Sequence, residues 1–447
     1  MNSTFKKHTA ALGVSIGLAF SLPSSVLANN ISLETMTKDI TYLASDELNG
    51  RESFTKDIDV AADYISKRFK EIGLEPINAK NGNEHFKQTF TITHIAPTSL
   101  AVSLNGAVIA NQNLGMASTI ENISWQSTND FTSHIIGKDD DMRAMISKMN
   151  QQGGKHFVLI HTAHAKMFAG YSGYFARGLN KLNLDHQGAI VMVLTDQTSI
   201  DKLDVKASTT ITQKTLSNVV GVLPGKKQHD EVVLYSAHYD HLGAGDNGEG
   251  DVIYNGADDD ASGTTAIINL AEYFANKGDN ARSLMFSAFT AEEIGGFGSQ
   301  YFSQQLNPDD VIAMVNIEMI GKPSKFGSGQ VWMTGMERSN LGQLLNSSLK
   351  ETGAQIHQDP YPEQNLFYRS DNATLARLGV PAHSFSSTQL DKDKHYHQVS
   401  DDLASLDLTS MHQVIESLSI ATQGLVDGVL TPSRVDVNTV KAKGKIY

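Results

Sequence analysis

Five stretches of this chain carry histidine and carboxylate side chains at spacings that could hold cations and move protons. The first is His238-Tyr239-Asp240, at the end of the apolar run Val232-Val233-Leu234-Tyr235. Residues two apart on an extended backbone point to the same side, so His238 could bind a metal through one ring nitrogen while Asp240 holds the proton on the other. The second is Asp258-Asp259-Asp260. Three adjacent carboxylates repel one another, and a divalent cation removes that repulsion. A solvated acidic turn that caps the next helix is the alternative reading. The third is Thr290-Ala291-Glu292-Glu293-Ile294-Gly295, the fourth Asn316-Ile317-Glu318-Met319-Ile320-Gly321, and the fifth His395-Tyr396-His397 with Asp401 four residues on. Taken alone, the Glu292-Glu293 pair also fits an acid-decorated helix N-terminus. The chain has no cysteine, so any zinc must be held by His, Asp and Glu.

These groups need a scaffold that brings distant segments together. Strands at 219–223, 231–236, 283–289, 311–317 and 381–385 alternate with helices at 262–275, 298–305, 340–352, 373–378 and 408–430. That alternation predicts an α/β fold with a mostly parallel central sheet flanked by helices. In such sheets the carboxyl ends of the strands line one crevice, where the five stretches would converge. Upstream, 31–76 reads as two helices broken by the turn Asn49-Gly50-Arg51-Glu52. Residues 85–135 read as β-rich, with a hairpin signal at Asn105-Gly106. A strand–helix–strand unit, with strands at 156–160 and 188–194 and a helix within 169–184, predicts an inserted smaller α/β accessory domain. Its His161 and His164 form an H-x-x-H pair with no glutamate between them and read as surface or interface histidines.

The expected divisions are a signal peptide at 1–28, N-terminal helices of the catalytic domain at 29–90, the accessory domain at 91–215, the catalytic domain at 216–432, and a polar, loosely ordered tail at 433–447. Lys6 and Lys7, an apolar stretch from Ala10 to Leu22 and the small residues before 29 read as a secretory signal. The expected location is therefore exported, periplasmic or extracellular, with no membrane span. Formal net charge is −13, and removing 1–28, with its two lysines and no acids, leaves −15. That excludes nucleic acid as an expected partner. Oligomeric state is not legible.

The five motifs, in order and spacing, resemble the co-catalytic zinc aminopeptidases and carboxypeptidases of clan MH, which include bacterial leucyl aminopeptidase and glutamate carboxypeptidase. The likeness covers roughly 216–430 and extends to Leu43–Arg51. The inserted module loosely resembles the protease-associated domain of some members. The resemblance implies two zinc ions per chain, with His238 and Glu318 on one, Glu293 and His397 on the other, and Asp259 bridging both. It implies a cis peptide bond between Asp259 and Asp260, Glu292 as general base, Asp240 supporting His238 and Asp401 orienting His397, with His395 ranked behind. Tyr368 could stabilise the developing oxyanion. Two departures stand out: Glu318 replaces the Asp of many members, as in related glutaminyl cyclases, and Asn372 stands where a histidine is usual. The implied activity is removal of N-terminal residues from peptides with a free N-terminus. The alternatives are a carboxypeptidase, for which Arg369 would have to hold the terminal carboxylate, a glutaminyl-cyclase-like zinc enzyme, or a non-catalytic binding module, which should lack some of the ligands.

Overall fold

A computed structural model describes residues 30–77, 85–245 and 250–447. The signal sequence expected at 1–28 lies outside them. Four parallel strands, in the order 382–386, 311–317, 228–238 and 282–289, form the centre of the main sheet. Val233 and Tyr235 pack on one face against the helices Leu33–Leu43, Lys56–Ile72, Gly263–Lys277 and Leu408–Val426. Leu234 packs on the other face with Phe289, Phe302 and Leu375. Burial on both faces is why these strands read as unbroken apolar runs. The flanks are antiparallel, with Leu203–Leu223 added beside 282–289 and Val331–Met333 beside 382–386.

The helix ends follow from local chemistry. Ser32, Thr55 and Asp407 each accept a backbone N–H of the first turn, and Gly73 closes the second helix at φ 88°, a conformation open to glycine without a Cβ clash. The Asn105-Gly106 turn has φ of 52° and 86°, as an Asn-Gly hairpin requires.

Two strands run longer than their patterns indicate. Lys87–Leu104 and Leu203–Leu223 pair along their length, with one register shift at Ser208/Thr209, and extend the main sheet as a long arm to which 107–108, 122–125 and 179–181 add short strands. The boundaries expected at 91 and 215 fall inside the two long strands. The arm carries a four-stranded sheet ordered 114–118, 189–194, 155–160, 132–136, with the helices Met142–Gln152 and Ala165–Ala176. The second helix stops well before the expected 184, because Gly178 turns left-handed (φ 91°) and 179–181 become a strand against the arm. The first was not anticipated, although Met142, Ile146 and Met149 bury one face of it.

The tail departs from expectation more strongly. Polar composition predicted looseness, yet Ile446 is buried in the accessory module's core and Tyr447 packs on Phe175. The Asn150 side chain accepts the N–H groups of Ile446 and Tyr447. Among the described residues, no helix is long and apolar enough to cross a membrane.

Candidate metal centre

The strand Gln228–His238 ends by placing His238 at the carboxyl edge of the sheet, beside the ends of 282–289 and 311–317. Each neighbouring strand releases its acidic residues there. The intervening backbone is bent sharply: Ala291 (φ 60°), directly before Glu292, Met319 (φ 53°), directly after Glu318, and His397 itself (φ 56°) all occupy the left-handed region. Non-glycine residues there are uncommon and cluster at functional sites.

The three aspartates divide the work. The Asp259–Asp260 bond is cis. Asp260 accepts the backbone N–H groups of Gly263, Met319 and His238. Asp258 accepts the N–H of Gly321 and the hydroxyl of Thr388, and pairs with Lys322 at 3.3 Å. Two of the three are thus internal braces that stitch separate loops together. Asp259 alone reaches the cluster, with Oδ1 3.1 Å from His238 Nε2 and Oδ2 3.2 Å from His397 Nε2. His397 Nε2 also lies 3.3 Å from Glu293 Oε2.

One histidine of the site escaped the sequence reading. His241 is buried, and its Nδ1 sits 2.7 Å from Glu293 Oε1. Donor atoms of His238, Asp259 and Glu318 lie within 4.8 Å of one another, as do those of His241, Asp259 and Glu293. The signal was available as the H-Y-D-H spacing, which sets His241 three residues after His238.

The donor set fits divalent cations. His238 Nε2, His397 Nε2, both ring nitrogens of His241, Glu293 Oε1 and Glu318 Oε2 are buried without a hydrogen-bond partner, which buried polar atoms rarely tolerate. Among the described residues, no lysine or arginine pairs with Asp259, Glu292, Glu293 or Glu318. Nitrogen and carboxylate donors without thiolate suit zinc. Burial pushes the Glu292 carboxyl well above its ordinary range; His238 opposes the shift and Glu318, Asp371 and Glu293 reinforce it. Burial likewise lifts Glu318 to about 7. Burial would raise Asp259 too, but the close approach of the His238, His397 and His241 rings holds it well below.

Two support roles differ from expectation. The Asp240 carboxylate stands 3.9 Å from His238 Nδ1, beyond hydrogen-bond reach. His238 Nδ1 meets the Asp240 backbone carbonyl at 3.1 Å, and the carboxylate instead accepts the N–H groups of Glu292 and Glu293 and the hydroxyl of Ser53. The β-strand places both side chains together, but the shorter reach to the carbonyl wins. Asp401 does not orient His397; it accepts the backbone N–H groups of Asp258 and Asp259 and pairs with Lys322. His395 turns away to Ser400. Asn372 is buried as a brace, donating to the Phe367 and Ala382 carbonyls. Arg51, read as part of a turn, is fully buried and donates to the carbonyls of Leu43, Tyr239, Asn255 and Gly256, which pins the loop ahead of Asp258.

Two cavities meet at the cluster. The larger, about 940 Å³, is lined by Asp259, Glu292, Glu293 and Tyr368, with the accessory module and the tail forming its far wall. The smaller, about 380 Å³, is lined by Met319, Trp332, Leu366 and Leu390. Glu318, Arg369 and Tyr396 line both. Tyr396 stacks on His397 with ring centres 3.9 Å apart.

This geometry has a counterpart among known proteins, because residues 218–421 match peptidase family M28. These residues are the M28-like region of the chain. Leucine aminopeptidase 1 of Emericella nidulans is 30% identical to this chain over 167 residues, 35% of this chain and 43% of that protein. Leucine aminopeptidase 1 of Penicillium rubens is 28% identical over 207 residues, 44% of this chain and 52% of that protein. The matched regions thus span about half the length of these relatives. An aminopeptidase from Aneurinibacillus sp. strain AM-1 shares the fold at TM-score 0.53 and 17% identity, over 93% of this chain and 97% of that one. A zinc aminopeptidase from Bacillus subtilis does so at 0.52 and 16%, over 92% and 99%. The M28-like region contains every residue of the candidate metal centre, from His238 to His397.

Proposed function

We propose that this protein is an exported zinc aminopeptidase that removes N-terminal residues from peptides. The reading rests on one observation above the rest: unpartnered histidine nitrogens and carboxylate oxygens gather around Asp259, with Glu292 beside them. His238 and Glu318 would hold one zinc, and Glu293, His397 and His241 the other, with Asp259 shared. Bound there, the metals lower the pKa of a coordinated water and polarise the scissile carbonyl.

The remaining work belongs to the chain. Glu292, held by its backbone N–H on Asp240, takes the attacking water's proton and delivers it to the departing nitrogen. Surplus carboxylates around Glu318 accept the substrate's α-ammonium group. The apolar walls of the smaller cavity, Trp332 and Leu366 above all, suit a bulky apolar first residue. The phenol of Tyr396, and at the wall of the larger cavity that of Tyr368, are the donors open to the developing oxyanion. The relatives named leucine aminopeptidase support this direction of cleavage.

The test is hydrolysis of amino-acid nitroanilides and short amides, with leucine or phenylalanine first, before and after chelation. Free-amino substrates should be cut and chelator should stop it. Cleavage of N-blocked peptides with none of free-amino ones would overturn the reading in favour of a carboxypeptidase.

A further inference from the structure

The larger cavity is charged unequally. Its sheet-edge end is carboxylate-rich, as described. Its opposite wall carries Arg177 and Lys181 from the accessory module, Arg377 from the M28-like region and Lys443 from the tail. Among the described residues, none of these four pairs with a carboxylate. Lys181 donates to the Lys445 carbonyl, Arg377 to the Lys441 carbonyl and Lys443 to the Gly295 carbonyl, while Arg177 lies over the Tyr174 ring. Charge on a protein surface is ordinarily interspersed, and cations crowded together without an anion raise one another's free energy. The effect is visible at Lys443. Withdrawal of its ammonium from water, with Arg377 and Lys181 adding repulsion that the Asp371 carboxylate only partly offsets, pushes its pKa down to about 8. Withdrawal from water lowers Lys181 as well. Three separate segments supply these cations, and the tail reaches the wall only because Ile446 and Tyr447 are anchored in the accessory module.

Resting on the aminopeptidase reading, we infer that this basic wall is a binding site for the terminal carboxylate of a short peptide, whose amino end lies at the acidic metal centre. The substrate class is then small free peptides held by both ends. The smaller cavity takes the first side chain, and the leaving portion runs across the larger one toward Lys443 and Arg377. An arginine fork and an ammonium are the groups that bind a carboxylate by charge-assisted hydrogen bonds. The accessory module acquires a role in this arrangement, because its Arg177 and Lys181 complete the wall.

The experiment compares di- and tripeptides carrying a free carboxylate with the same peptides amidated. With the zinc-loaded protein, the free acids should show kcat/KM about tenfold to a hundredfold above the amides, chiefly through KM, the worth of one charge-assisted hydrogen bond. The combined substitution Lys443→Gln and Arg377→Gln should bring the ratio of acid to amide close to one. Equilibrium binding to the zinc-loaded Glu292→Gln protein should show the same preference without turnover. Equal handling of acid and amide by the unaltered protein, or a ratio indifferent to the two substitutions, overturns the inference. Nitroanilide hydrolysis by the unaltered protein reports on the aminopeptidase reading alone, so the two fail separately.

Discussion

Two H-x-x-H pairs in this chain have identical spacing and opposite fates. In the accessory module, His161 Nδ1 accepts the N–H of Ala163 while its Nε2 lies 3.5 Å from Asp196, and His164 Nε2 meets the carbonyl of distant Gly137, so the two rings are engaged separately. In the M28-like region, His238 Nε2 and both ring nitrogens of His241 are buried without a hydrogen-bond partner, against Asp259 and Glu293. Spacing therefore carries little information. The difference lies in what surrounds the pair: His161 meets one exposed aspartate and His164 a backbone carbonyl, whereas the end of the central strand 228–238 faces several buried acids converging from separate segments.

The comparison can be broken in several ways. The largest effect is expected at the proton carrier the M28 site has and the accessory pair lacks. Glu292→Gln should lower kcat by about 10²- to 10⁴-fold, while metal analysis still finds about two zincs per chain, the stoichiometry expected of shared ligation. Next come the histidines themselves. His241→Ala should lower zinc retained after dialysis, with activity restored only by added metal; unchanged retention would return His241 to the status of a packed core residue. Asp240→Asn keeps the shape but weakens the acceptor of the Glu292 and Glu293 N–H groups, and a roughly 10- to 100-fold loss in metal affinity or activity is expected. Arg51→Met removes four hydrogen bonds to buried carbonyls and should destabilise the fold by about 3 kcal/mol or more, measured by denaturant unfolding. The smallest effect belongs to the control pair: replacing both His161 and His164 with Ala should leave zinc content untouched and stability within about 1 kcal/mol.

Much of the site was legible because parallel strands enforce it. Apolar runs ending in His238, Glu292 and Glu318 announce both the strand and the residue at its exit. What the sequence concealed was pairing across distance. Asp401 braces the backbone of Asp258 and Asp259, some 140 residues away, and no local pattern marks a carboxylate that accepts backbone N–H groups. The same-face spacing brings the Asp240 carboxylate within 3.9 Å of His238 Nδ1, but it does not reveal that the Asp240 carbonyl is nearer, at 3.1 Å. The stretch Lys206–Lys214 hides a strand behind polar residues, since the arm buries only alternate positions such as Val205, Ala207 and Thr209. The tail was misjudged from composition, although two of its few apolar residues, Ile446 and Tyr447, are those that anchor it.

Ala291, Met319 and His397 bend the chain where the chemistry is presented, and two of these three have no chemistry of their own. In a saturation scan of this gene, the most damaging valine and isoleucine codons should therefore fall at 291 and 319, one position away from the acids they aim. A map of tolerated variation would outline the site with an offset, tracing the joints that direct each acid as clearly as the acids themselves.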